Sequence, residues 1–159
     1  MECFAHVPSP FICKHFHRLL PDWPCPAASV LIVLQPCAYD LSEHTPQTER
    51  QKQQLRQRFL RFGYRVATKL QALGHLADVF DPRTGLPLLS QPGSIQLDDV
   101  AVVQFCLGYP ILERQGCSIL LHPLWGSAVY PSILLSSATP TILEQVSQEV
   151  RGETCPSEV

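Results

Sequence analysis

The chain has no Cys-x-x-Cys pair; its seven cysteines, Cys3, Cys13, Cys25, Cys37, Cys106, Cys117 and Cys155, are scattered and odd in number. That excludes a zinc ribbon and a dithiol redox motif and implies no disulfide framework, so a reducing compartment is expected. Its eight glycines stand singly, and none forms the loop that cradles a phosphate or dinucleotide. Gly-x-Ser-x-Gly and His-Glu-x-x-His are missing too, which removes the commonest hydrolase and metalloprotease signatures. With a net charge of −2 there is no electrostatic footprint for nucleic acid. The longest apolar run, ASVLIVLQP at 28–36, falls far short of the ~20 residues of a membrane span. At the N-terminus Glu2 stands where a signal peptide needs positive charge, and Pro8, Pro10, Lys14 and three histidines break up the apolar residues. A soluble, cytoplasmic protein is expected.

What is present is enough for one core. Apolar residues make up 45% of 159, and a chain of this length buries roughly two thirds of its unfolded surface. The expectation is a single domain over 1–150 with a flexible tail at 151–159. Ser9 and Pro10 make a helix start, with Phe11, Ile12, Phe16 and Leu19 as the buried face of a helix over 10–19. SVLIVLQ at 29–35 reads as a central strand covered on both faces. Thr45 and Pro46 open a long helix whose stripe is Leu55, Phe59, Phe62, Val66, Leu70 and Leu73, closed by Gly74 as a left-handed residue. Leu76 and Val79 to Phe80 then read as a strand, DPRTG as a turn and LPLL as a returning strand. Residues 97–107 are apolar almost all round, so periodicity leaves a buried helix and a strand both open, and helix is the reading taken. SILLHPLW at 118–125 and AVYPSILLSSA at 128–138 read as two strands paired across Gly126 and Ser127. A last helix starts near Pro140 and ends near Val150. The class is α+β, in layers.

Few residues present themselves for chemistry. Cys13 and His17 share a helix face, with His15 nearby, but zinc takes three or four ligands, so a polar helix face is the reading and no metal is expected. Asp40, Glu43, Asp78, Asp81, Asp98, Asp99 and Glu113 come with no nucleophile-and-base motif, so no catalytic residue is assigned. Asp81, ahead of Pro82, reads as turn chemistry. His122 and Trp125 read as structural, packing and hydrogen-bonding at a strand end. For Cys117 two readings stand side by side. Free cysteine is by type a small buried residue, whereas the polar LERQG before it and the neighbouring Arg114 suit an exposed thiolate, a soft ligand for a transition metal or a disulfide partner.

LGHLADVFDPRTGLPLLS (73–90), LGYPILERQGCSILLHPLWG (107–126) and SILLSSATP (132–140), in this order and spacing, resemble the C-terminal domain of the CblD family of cobalamin trafficking proteins. A weaker likeness extends to MECFAHVPSPFICKHFHRLLPD. The resemblance implies a nitroreductase-like fold, a mainly antiparallel sheet flanked by helices that has lost its flavin site. It implies a non-enzymatic adaptor that binds a CblC-like cobalamin-processing protein and serves methionine synthase, with cobalamin bound only in that complex. It also implies Cys117 as the thiolate that reaches cobalt. The family typically carries two adjacent cysteines at this loop, and a gapless match sets Gly116 against the first. Without the long leader of the animal proteins, a cytosolic role is expected over mitochondrial delivery. Two rival readings remain. One is a flavin-dependent reductase, for which Arg50, Arg56, Arg58, Arg61 and Arg65 are the basic cluster on offer, although they read as a solvated helix face. The other is an interaction module with no cobalamin role.

Overall fold

A computed structural model describes residues 1–153. Its centre is a four-stranded antiparallel sheet in the order β1 (Glu2–His6), β2 (Ser29–Pro36), β6 (Val129–Ser136), β3 (Ala77–Val79). Helices cover both faces, so the class is α+β as the sequence implies. Side chains alternate along β2: Val30, Ile32 and Leu34 enter one core, while Leu31 and Val33 enter the other. In β6, Ile133 and Leu135 join the first core and Leu134 the second. β2 therefore reads as an unbroken apolar run although the sheet is antiparallel.

The first core lies under α1 (Pro10–Leu19) and α3 (Asp99–Leu107). Ser9 caps α1, its hydroxyl accepting the Ile12 N–H at 3.3 Å. Ile12, Phe16 and Leu19 are buried as expected, but Phe11 is not: it stays 48% exposed, its ring tilted against that of His15. Asp98 caps α3 by accepting the Ala101 N–H. The second core lies under α2 (Pro46–Ala72) and α4 (Pro140–Glu153). Thr45 and Thr48 close a reciprocal capping box at the start of α2. The stripe from Leu55 to Leu70 is buried; Leu73, the C-cap, is 61% exposed, and Gly74 follows at φ 86°. Gly63 brings α2 down onto β3, where a Cβ would stand 3.1 Å from Val79.

The structure departs from the sequence reading in four other places. ECFAH shows no strand pattern; it is β1, an edge strand whose two faces are only half covered, and so lacks a continuous apolar run. LPLL returns as a single bridge, Phe80 to Pro87: Pro87 has no N–H to extend a ladder, and the Leu88 and Leu89 N–H groups turn to the Asp78 carboxylate. The expected pairing of 118–125 with 128–138 does not form. β5 (Cys117–Leu120) pairs with β4 (Ile111–Arg114) in a separate ribbon, and β6 enters the main sheet between β2 and β3. Lastly, α4 continues past Val150 to Glu153, whose carboxylate bridges Arg65 and Lys69 of α2; the rest of the expected tail, 154–159, lies outside the described residues.

Candidate functional site

The β4–β5 ribbon turns on Gln115 and Gly116, at φ 52° and 79°. Two successive residues in the left-handed region make the turn whose twist matches a two-residue hairpin, and glycine in the second place carries that conformation without a Cβ penalty. Register then puts Cys117 directly opposite Arg114. Opposed residues point to the same face of a ribbon, so Cys117, Arg114, Leu112 and Ile119 share one face. Glu113 and Ser118, bonded to each other, hold the opposite one. Cys117 is exposed. Of the two sequence readings, the buried filler is excluded.

Beside the thiol lies a cleft of about 280 Å³ reaching from the ribbon to the loop before α2 and the start of β6. Two basic side chains line it, Arg114 and Lys52, the second paired with Glu49 at 3.0 Å. Arg114 reaches across to donate to the Ser42 hydroxyl at 3.3 Å. Ser42 in turn gives its N–H to Asp40 at 2.8 Å, and the bonds from Ser42 hold the Asp40 carboxyl below its usual range. The ribbon is thereby braced against the loop, with Cys117 at the edge of the cleft.

The other thiols are of a different kind. Burial pushes Cys3 and Cys37 up to about 11 and raises Cys106 as well, which keeps them as unreactive thiols at neutral pH. Cys13 and Cys25 are exposed, but Cys13 points at the Pro8 carbonyl, and neither borders this cleft. Cys155 lies outside the described residues. Cys13 and His17 acquire no further partner: among the described residues no group of three His, Cys, Asp or Glu is placed to hold a metal ion.

His122 has the structural role its context suggests, and more partners than Trp125 alone. Its Nδ1 accepts the N–H groups of Leu124 and Trp125 at 3.1 and 3.2 Å, which puts the ring proton on Nε2, 3.0 Å from the Glu2 carboxylate. Trp125 stacks on the ring at 3.9 Å and Tyr109 meets it edge-on. Every polar atom of the imidazole is committed, and none is turned to Cys117. Glu2 as the partner escapes the sequence reading, for 120 residues separate the two and nothing local signals the pairing.

The acidic residues divide by environment. Asp81 organises its turn as expected, accepting the Arg83 N–H at 3.0 Å. It also receives a bidentate ion pair from Arg56, two contacts of 2.7 Å, which holds its carboxyl below the usual range. Arg56 is thus not a solvated residue, and with Arg65 drawn to Glu153 the supposed basic cluster of α2 is partly spent on structure. Asp78 is buried and accepts the N–H groups of Leu88 and Leu89; burial nevertheless raises it. Asp99 is buried with neither oxygen hydrogen-bonded. Asp98 is a cap, Glu113 is exposed, and Glu43 offers its carbonyl to the Thr48 hydroxyl. They do not converge on a nucleophile. No helix among the described residues is long and apolar enough to cross a membrane.

Comparison with known proteins bears on this arrangement. A family model described as methylmalonic aciduria and homocystinuria type D protein matches residues 1–147. The cobalamin trafficking protein CblD of Homo sapiens is 24% identical over 140 residues, covering 88% of this chain and 47% of that protein. Its namesake in Rattus norvegicus is 23% identical over 139 residues (87% and 47%), and that of Gallus gallus 21% over 140 (88% and 47%). The chain spans about half the length of the curated relatives it matches.

Proposed function

The chain belongs to the methylmalonic aciduria and homocystinuria type D protein family, and from that membership we propose that it is a non-enzymatic cobalamin trafficking adaptor. In this reading it docks with a CblC-like cobalamin-processing protein, offers the Cys117 thiolate to the cobalt of the cargo, and passes cobalamin toward a dependent enzyme such as methionine synthase in the cytoplasm. The nitroreductase-like ancestry of the scaffold is part of the same proposal. The observation that carries it is the exposed thiol at the foot of a two-residue turn, beside a cleft that Arg114 lines. A soft anionic sulfur suits an axial position on a corrinoid cobalt that the processing protein leaves open. The ribbon supplies what a donor in trans needs, an accessible sulfur whose backbone is fixed by pairing with Arg114.

The test is to mix the protein with a cobalamin-loaded CblC-like partner and record absorption spectra. Wild type is expected to give a thiolate-bound corrinoid spectrum and Cys117→Ser to give that of the partner alone. Identical spectra would remove Cys117 from the mechanism. A pull-down with and without cobalamin tests the docking step separately, and no retention of the partner in either condition would overturn the adaptor reading. The purified protein is expected to be colourless; a bound yellow chromophore would favour the flavin reductase instead.

A further inference from the structure

Charge is segregated in this molecule. Helix α2 carries seven of the twelve Lys and Arg and only one of the fourteen Asp and Glu, and that one, Glu49, sits in its first turn. Four of the seven cations are spent within the fold: Lys52 on Glu49, Arg56 on Asp81, Arg65 on Glu153, Lys69 on Glu149 and Glu153. Arg50, Arg58 and Arg61 are exposed and make no ion pair among the described residues. At 100° per residue they lie opposite the buried stripe, on one outward face with Gln54, Gln57 and Tyr64. A face kept only for solubility is expected to alternate signs at i and i+4. This one has no carboxylate after Glu49 and sets Arg58 and Arg61 at i, i+3, where they repel. Its cations are arginines without lysine, accompanied by glutamine and tyrosine. Arginine and tyrosine are enriched at protein interfaces where lysine and glutamate are depleted, and the guanidinium fork pairs with a carboxylate through two bonds.

We infer that the outward face of α2 is a docking surface for an acidic face of another protein, engaging it through Arg50, Arg58 and Arg61. Arg50 and Arg61 lie almost in line, roughly 16 Å apart along the helix, with Arg58 to one side, a spacing that a helix bearing glutamates can meet. A membrane surface fits less well, since the apolar stripe that would insert is buried in the second core. Nucleic acid fits less well because the rest of the chain carries thirteen of the fourteen acidic residues and would repel a long polyanion beyond the helix. The inference does not depend on cobalamin or on Cys117.

The test uses the full chain and a labelled helical peptide bearing glutamates at the arginine spacing, against its glutamine counterpart, in fluorescence anisotropy over a salt series. The acidic peptide is expected to bind and the glutamine peptide not. The triple variant Arg50→Glu, Arg58→Glu, Arg61→Glu is expected to lose at least about tenfold in affinity. The triple lysine variant keeps the charge and should lose less, a comparison that holds only if melting curves show all three proteins folded. Cys117→Ser should bind like wild type. Equal binding by the wild type and the glutamate variant would overturn the inference, as would tighter binding of a 3:1 phosphatidylcholine:phosphatidylserine vesicle or of duplex DNA than of the peptide.

Discussion

Asp99 stands in the first turn of α3 with both carboxyl oxygens buried and unpaired. An aspartate there is favoured by the helix dipole, and that part is plain from the sequence. Its cost is not, because burial comes from β6 and the Asp81 turn, which are distant in the chain. Burial, then the charges of Asp98 and Asp81, raise its carboxyl well above the usual range. The folded state therefore holds the proton more tightly than the unfolded one. Stability from this residue is full below the ordinary aspartate value and declines as pH rises from there toward the folded value, each unit of separation being worth ~1.4 kcal/mol. Asp99→Asn removes the ionisation, so it should stabilise the protein by roughly 1 kcal/mol or more at neutral pH and change little near pH 3. Denaturant melts at several pH values check this, and a loss at neutral pH that shrinks toward pH 3 would show that the carboxylate has a partner. The contrasting residue is Asp81, whose role as turn former is legible from Asp-Pro-Arg-Thr-Gly while its pairing with Arg56 is not. Removing Arg56 from this partly buried, bidentate pair leaves Asp81 with the Arg83 N–H, so Arg56→Ala should cost roughly 2 kcal/mol. Arg58→Ala, nearby on the exposed face, should fall within about 0.5 kcal/mol of wild type. The same melts compare them.

At the scale of the element, the β4–β5 ribbon is where sequence and structure part. Gly126 and Ser127 between two apolar runs resemble a hairpin turn, yet the runs belong to different sheets, and the true turn is Gln115-Gly116. Glutamine is a poor advertisement for a left-handed conformation, which is why LERQG reads as a loop. The long, strongly periodic α2 and the β-branched β2 are legible to within a residue or so, since each shows its burial in its own periodicity. A ribbon of two four-residue strands has too few positions to do so. The family resemblance sets a cysteine against Gly116, and the turn geometry says what that would do here. Gly116 sits at φ 79°, and no neighbouring atom lies within 4 Å of the place a Cβ would take. Gly116→Cys therefore meets no clash and costs only backbone strain, about 1 kcal/mol. Gly116→Asn, better suited to that region, should cost less. If the sulfur at the turn is the one that reaches cobalt, Gly116→Cys in a Cys117→Ser background should restore the corrinoid spectrum; if the strand position matters, the spectrum should stay that of the partner alone.

For the whole molecule, the site rests on the N-terminal strand. β1 closes one edge of the sheet along five paired residues, adding Phe4 to the first core and Cys3 and Ala5 to the second. Glu2 reaches across to His122, whose ring braces the turn just after β5 through Leu124 and Trp125. Residues far apart in the sequence thus hold the segment that carries Cys117, an arrangement invisible to local pattern because neither shows its partner. Deleting residues 1–6 would open the edge of β2, a strand of eight residues with apolar side chains on both faces, and leave the His122 N–H buried without an acceptor. Loss of core side chains and of a buried hydrogen bond together should cost at least ~3 kcal/mol, and an exposed apolar edge should promote self-association. Glu2→Gln keeps an acceptor and the strand, so it should cost no more than about 1 kcal/mol. Urea titration and size-exclusion chromatography distinguish the two: the truncated chain should unfold at lower denaturant and elute in part as oligomers, the substitution should do neither. Were the truncation to unfold like wild type, β1 would be an ornament to the sheet, and the ribbon would have to be held by its own contacts with α3 and the loop at Ser42 alone.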